Sequence, residues 1–114
     1  MLTIYHNPRC SKSRQTLALL EENGHKPVIV EYLSNRPSAD KLKQIIKKLG
    51  INPRELLRKG EDAYKENNLS DLSLTDNQLV EFMSQYPKLI ERPIVINGNK
   101  AALGRPPENV LTIL

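Results

Sequence analysis

LTIYHNPRCSKSRQTLALL, residues 2–20, decides how the chain is read. Leu2-Thr3-Ile4-Tyr5 is β-branched and aromatic enough to be a strand, Asn7-Pro8 breaks it, and Gln15 to Leu20 carries helix-forming residues. The only cysteine, Cys10, therefore falls where a strand hands over to a helix. Unpaired backbone N–H groups and the helix dipole favour an anion there, which brings a thiol pKa down toward neutrality. Arg9, Lys12 and Arg14 add positive charge. A free cysteine is more often an inert buried residue, but the polar and basic neighbours of Cys10 argue for a reactive thiol. His6 reads two ways, as a group that orients the thiol or as a satisfied structural residue. Ser11 and Ser13 either donate hydrogen bonds to the thiolate or cap the helix.

The chain has 114 residues, 39% hydrophobic and 26% charged, which suits one domain able to bury a modest core. One cysteine excludes an internal disulfide, and with only His6 and His25 beside it no metal-ligand set is expected. That usage fits a reducing cytoplasm. Neither a leader nor an apolar run long enough to span a membrane is expected. The net charge of +4 raises a nucleic-acid reading, yet basic residues alternate with Glu21-Glu22, Glu61-Asp62 and Lys65-Glu66. Without a basic stripe or a base-stacking platform among Tyr5, Tyr32, Tyr64, Tyr86 and Phe82, the excess charge suits a small anionic ligand equally well.

Outward from the opening stretch, a helix is predicted from about Ser11 to Asn23, burying Leu17 and Leu20, with Gly24 as its left-handed stop. Val28-Ile29-Val30 reads as a strand buried on both faces. Residues 38–86 read as helical throughout: Ser38 caps a helix with Leu42, Ile45, Ile46 and Leu49 inward, Asn52-Pro53 restarts a short one, and Asp62 to Asn67 gives another. Thr75-Asp76-Asn77-Gln78 has capping-box spacing ahead of an apolar stripe of Leu79, Phe82, Met83 and Tyr86. Ile94-Val95-Ile96, the turn signal Asn97-Gly98 and Lys100 to Leu103 predict a hairpin. A last helix from Pro106-Pro107 is expected to turn Val110, Leu111 and Leu114 onto the sheet. The order βαβ, helical insert at about 38–86, then ββα predicts a single α/β domain over 1–114: a thioredoxin-like three-layer sandwich around a mixed four-stranded sheet.

HNPRCSKSR at 6–14, ELLRKGEDAY at 55–64, ERPIVI at 91–96 and GRPPE at 104–108 together resemble the glutaredoxin-coupled arsenate reductase family, across essentially the whole chain. The resemblance implies that Cys10 attacks arsenate, assisted by His6, while Arg58, Arg92, Arg105 and Ser13 hold the oxyanion. Arginine suits that task, since a planar guanidinium donates paired hydrogen bonds and keeps its charge. Folds of this kind keep a cis-proline before the third strand, which Pro93 matches and which sets Arg92 near Cys10. Glutathione is implied as co-substrate and glutaredoxin as partner, with no bound cofactor and a monomeric state. Arg9 and Ser11-Lys12 depart from the family pattern around the cysteine. Two other readings share features: a regulator that docks on RNA polymerase, which would need Cys-x-x-Cys where Ser13 stands, and a monothiol glutaredoxin-like transferase, which has no need of three arginines.

Overall fold

Four strands, β1 (Leu2–Tyr5), β2 (Val28–Val30), β3 (Ile94–Asn97) and β4 (Lys100–Leu103), form one sheet in the order β2-β1-β3-β4 in the computed structural model, which describes residues 2–114. β1 and β2 run parallel, joined by the helix α1 (Ser11–Glu22), and the β1–β3 and β3–β4 pairs are antiparallel. Tyr5 pairs with Val30 and with Ile94, and Ile94 pairs with Leu103. Four loops thus meet at one end of the sheet: those after β1, after β2, before β3 and after β4. This is the mixed sheet of a thioredoxin-like α/β fold.

The described residues form two compact units, 2–35 with 92–114 and 36–91. In the first, Ile4, Leu20, Val95, Val110 and Ile113 make the core, with Leu2, Leu17, Leu19 and Ala102 packed against it. Fully burying an aliphatic side chain such as Ile4, Leu20 or Val95 stabilises the unit by roughly 1.5–3 kcal/mol. Gly24, at φ 82°, ends α1 as expected. The buried face of α1 is Ser13, Thr16 and Leu20, while Leu17 is only partly covered. Two polar residues there face the loop end of the sheet, and their side chains find partners within it.

Two expectations fail in this unit for physical reasons. β2 is not buried on both faces, because it is the edge strand of the sheet and leaves Val28 and Ile29 47% and 48% exposed. The closing segment is a 3-10 helix, Pro107–Ile113, rather than an α-helix. Three residues per turn bring Pro107, Val110 and Ile113 onto one face, and these three are buried while Leu111 and Leu114 point outward. The hairpin is present as predicted, with Asn97 paired to Lys100 and Gly98 at φ 61° as the first of its two loop residues.

The second unit holds α2 (Ala39–Leu49), α3 (Pro53–Leu56), α4 (Asp62–Glu66), α5 (Asp76–Gln85) and a 3-10 turn over Pro87–Leu89. Its caps follow the sequence: Ser38 Oγ accepts the Lys41 N–H at 3.1 Å, and Asn52/Glu55 and Thr75/Gln78 form reciprocal capping boxes. Leu42, Ile45, Ile46, Leu56, Leu57, Leu69, Leu79, Val80, Met83, Leu89 and Ile90 are its buried hydrophobic side chains. Phe82 and Tyr86, expected in the stripe of α5, are only partly buried, and Val80 takes the inward position. This unit, 36–91, is not helical throughout. An extended bridge pairs Leu57 with Ile90, the Arg58 N–H donating to the Leu89 carbonyl at 2.7 Å and the Glu91 N–H to that of Leu56 at 2.8 Å.

The three-residue period of the closing segment sets a stability contrast between neighbours. Val110→Ala is expected to lower unfolding free energy by about 2 kcal/mol through a core cavity, and Leu111→Ala by less than about 0.5 kcal/mol. Urea denaturation midpoints of the two variants measure it.

Candidate active site

Asn7-Pro8-Arg9-Cys10 is a tight turn, closed by the Cys10 N–H donating to the Asn7 carbonyl at 3.0 Å. Proline suits the second position of such a turn. The Asn7 side-chain oxygen accepts the Arg9 N–H at 3.0 Å, and Arg14 Nη1 donates to the Pro8 carbonyl at 2.9 Å. The turn delivers Cys10 to the N-cap of α1 with an extended backbone, φ −93° and ψ 123°. Cys10 has no side-chain oxygen with which to cap the helix, and no acidic residue occupies the first turn of α1. The free N–H groups and the dipole of the helix start are therefore left to the thiol itself.

Burial of the thiol works against ionisation. It is outweighed by the Ser13 backbone N–H, by the hydrogen bond and charge of Arg92, and by the Lys12 backbone N–H, so the Cys10 pKa falls below its ordinary value. Arg105 reaches the same sulfur, with Nη2 3.7 Å from Sγ, while its Nε donates to the Arg92 carbonyl at 2.8 Å. The Arg92-Pro93 and Arg105-Pro106 bonds are both cis. A thiolate between two forked donors is a nucleophile with adjacent anion-binding capacity.

Thr16 and Gly104 hold these loops to the helix. The Gly104 N–H donates to the Pro93 carbonyl at 3.0 Å, and the Thr16 hydroxyl lies 2.8 Å from the Lys12 carbonyl and 3.5 Å from that of Gly104. A side chain at residue 104 would run into the Thr16 hydroxyl and, at 2.7 Å, the Pro93 ring. Neither residue stood out in the sequence, although the glycine lies inside the GRPPE stretch.

His6 and Ser13 are paired with each other. Ser13 is fully buried, with Oγ 2.6 Å from His6 Nδ1 and accepting the Asn7 N–H at 3.0 Å. What Ser13 offers the thiol is its backbone N–H rather than its hydroxyl. Burial lowers the His6 pKa most; Glu31 opposes the shift and Arg14 adds to it, so the ring is held toward its neutral form. Arg58 belongs to the unit 36–91. There it donates from Nη1 to Glu91 at 2.7 Å and from Nε to Glu61 at 3.4 Å. Among the described residues no three His, Cys, Asp or Glu side chains gather as a metal site, and no helix is long and apolar enough to cross a membrane.

Residues 5–113 match the model for the ArsC family. The chain is 54% identical to the arsenate reductase of Haemophilus influenzae, covering 97% of each chain. It is 55% identical to the uncharacterized protein YfgD of Escherichia coli K12, over 97% of this chain and 94% of that one. Among solved structures, the arsenate reductase from Vibrio cholerae superposes with a TM-score of 0.97 at 52% identity, covering 99% of this chain and 97% of the other.

The electrostatics give Cys10 a defined pH response. Its pKa is lowered, so thiolate persists as pH falls until that folded value is crossed. Alkylation by iodoacetamide should inflect below ~8.5, the free-cysteine value. Arg92→Gln should move the inflection upward, because it removes a cation and a donor while leaving the backbone N–H groups in place.

Proposed function

Because the chain belongs to the ArsC family, we propose that it reduces arsenate to arsenite, with the Cys10 thiolate as nucleophile, glutathione as the second thiol and glutaredoxin as the recycling partner. The observation that carries the reading is a lone thiol at a helix N-terminus with Arg92 and Arg105 beside it. Arsenate is a tetrahedral oxyanion. Guanidinium groups bind it in paired hydrogen bonds and neutralise the charge that would repel a thiolate.

In the first step Cys10 sulfur attacks arsenic, an As–O bond breaks, and the oxygen leaves as water after protonation. In the second, the glutathione thiolate attacks Cys10 sulfur. An S–S bond forms, the S–As bond breaks, and its electron pair stays on arsenic, taking As(V) to As(III) as arsenite leaves. Two thiols are oxidised and one arsenic is reduced. The chain has no second cysteine, so the second thiol comes from outside. Glutaredoxin then attacks the mixed disulfide on its glutathione sulfur and returns Cys10 as thiolate. Such chemistry belongs in a reducing cytoplasm.

Within this scheme Ser13 contributes its backbone N–H, and neutral His6 keeps the Ser13 hydroxyl and the Asn7 turn in register. Arg58 enters on family resemblance alone. Glu91 and Glu61 already counter its charge, so its share in oxyanion binding is expected to be the smallest of the three arginines.

Arsenite release should require both glutathione and glutaredoxin, and Cys10→Ser should abolish it while leaving the circular dichroism spectrum unchanged. Without glutaredoxin, mass spectrometry should find one glutathione per chain, on Cys10. Arg92→Lys and Arg105→Lys should each lower kcat/KM for arsenate about ten- to a hundredfold, the range of a lost charge-assisted hydrogen bond, and Arg58→Lys less. Sustained turnover with neither thiol donor, or by Cys10→Ser, would falsify the mechanism.

A further inference from the structure

We propose that Asn109 is a positioning residue for oxyanion binding: its side-chain amide fixes the turn that carries Arg105 and thereby holds that guanidinium beside the Cys10 sulfur. This deepens, and rests on, the proposed reading of Arg105 as an oxyanion donor. Asn109 directly follows the GRPPE stretch.

Arg105 is exposed, and a long exposed side chain loses rotamer freedom when it is held in one orientation. Its Nε donates to the Arg92 carbonyl at 2.8 Å and its Nη2 lies 3.7 Å from Sγ, so the fork is fixed only as well as the backbone behind it. That backbone is Gly104-Arg105-Pro106-Pro107, where β4 gives way to the closing 3-10 helix. Its leading end is tied by the Gly104 N–H on the Pro93 carbonyl at 3.0 Å. Its trailing end runs through two prolines, which have no N–H to donate. Pro106 is also the N-cap of the 3-10 helix and supplies no side-chain cap.

Asn109 ties that trailing end. Its backbone N–H donates to the Pro106 carbonyl at 3.0 Å and its Nδ2 to the Arg105 carbonyl at 2.9 Å. One residue thus grips two successive carbonyls of the turn, from a segment that Val110 and Ile113 fix to the core. A continuous path runs from the core through Asn109 to the Arg105 peptide, and through the Arg105 guanidinium to the Arg92 carbonyl and the sulfur. Asparagine suits the position because a carbonyl needs a donor. Aspartate has the same shape but only accepts, and its charge would face the Arg105 carbonyl. The thiolate itself is favoured by other groups, the Ser13 and Lys12 backbone N–H groups and Arg92, so Asn109 bears on the bound anion rather than on the ionisation of the thiol.

Sulfate, a tetrahedral oxyanion that thiolates do not reduce, is the probe, and its dissociation constant is read from the protection of Cys10 against iodoacetamide at constant ionic strength. Asn109→Ala and the isosteric Asn109→Asp should each weaken sulfate binding about three- to tenfold, the range of one net hydrogen bond. In Asn109→Ala the pH at which alkylation inflects should stay at the wild-type value. In an Arg105→Gln background the same Asn109→Ala change should have no effect on sulfate, because a residue that acts through Arg105 loses its influence with the guanidinium. A general loosening of the fold would move the inflection instead, and a direct contact between Asn109 and the anion would persist in that background. Unchanged sulfate affinity in both single variants, an equal loss in the Arg105→Gln background, a moved inflection in Asn109→Ala, or no protection of the wild-type thiol by sulfate overturns the inference. Should sulfate protect while the wild-type chain releases no arsenite, the arsenate reading alone falls, and the double-mutant comparison still judges Asn109.

Discussion

Residue 104 can only be glycine in this fold, and the geometry around the thiol depends on that. Thr16, on the buried face of α1, and the Pro93 ring, at the entrance to β3, both lie within the space a side chain at 104 would fill. The close approach joins the two loops to the helix: the Gly104 N–H meets the Pro93 carbonyl, and the Thr16 hydroxyl bridges toward the Lys12 and Gly104 carbonyls. The helix that starts at Cys10, the loop that carries Arg92 and the loop that carries Arg105 are thereby held at one spacing. An alanine at 104 would push Arg105 away from Sγ by displacing the whole turn, not by altering the guanidinium.

That spacing explains why so few charged groups govern the thiol. Two backbone N–H groups from the first turn of α1 and one strong guanidinium outweigh the desolvation that burial imposes. The second guanidinium is steered by its own Nε on the Arg92 carbonyl. An arginine anchored this way presents its remaining nitrogens in a fixed fork, which a lysine on a flexible stem does not. Serine at position 13 takes a different part. Its hydroxyl, shut away between His6 and the Asn7 N–H, ties the end of β1 to the helix, so the Cys-x-x-Ser spacing is structural on the serine side.

Much of this fold is written locally. Caps and stops at Ser38, Gly50, Asn52, Thr75 and Gly24 are read from single residues because each acts on its own few backbone groups. The reactive position of Cys10 was legible for the same reason: a strand, a breaker and a helix lie within a dozen residues. What escaped depends on pairings across the chain. Whether Val28-Ile29-Val30 is an edge or an interior strand turns on sheet order, and an apolar run reads the same in both. Periods of 3.0 and 3.6 cannot be told apart over seven residues, so the sequence pattern points to Leu111 where the fold buries Ile113. The Leu57–Ile90 bridge joins residues 33 apart. Gly104 and Thr16 join residues 88 apart, and only the folded chain shows that they meet.

The neutral state of His6 bears on how the site works with pH. In cysteine–histidine pairs that rely on an imidazolium, the stabilising charge is lost as the histidine titrates. Here burial disfavours the charged ring, and Nδ1 is taken up by Ser13. The groups that do favour the thiolate, backbone N–H donors and arginines, carry no proton that leaves in the accessible pH range. Thiolate content is therefore governed by Cys10 itself, with the arginine charge beside it constant as the thiol ionises. Burial and backbone donors thus set the state of the thiol without a titrating partner in the imidazole.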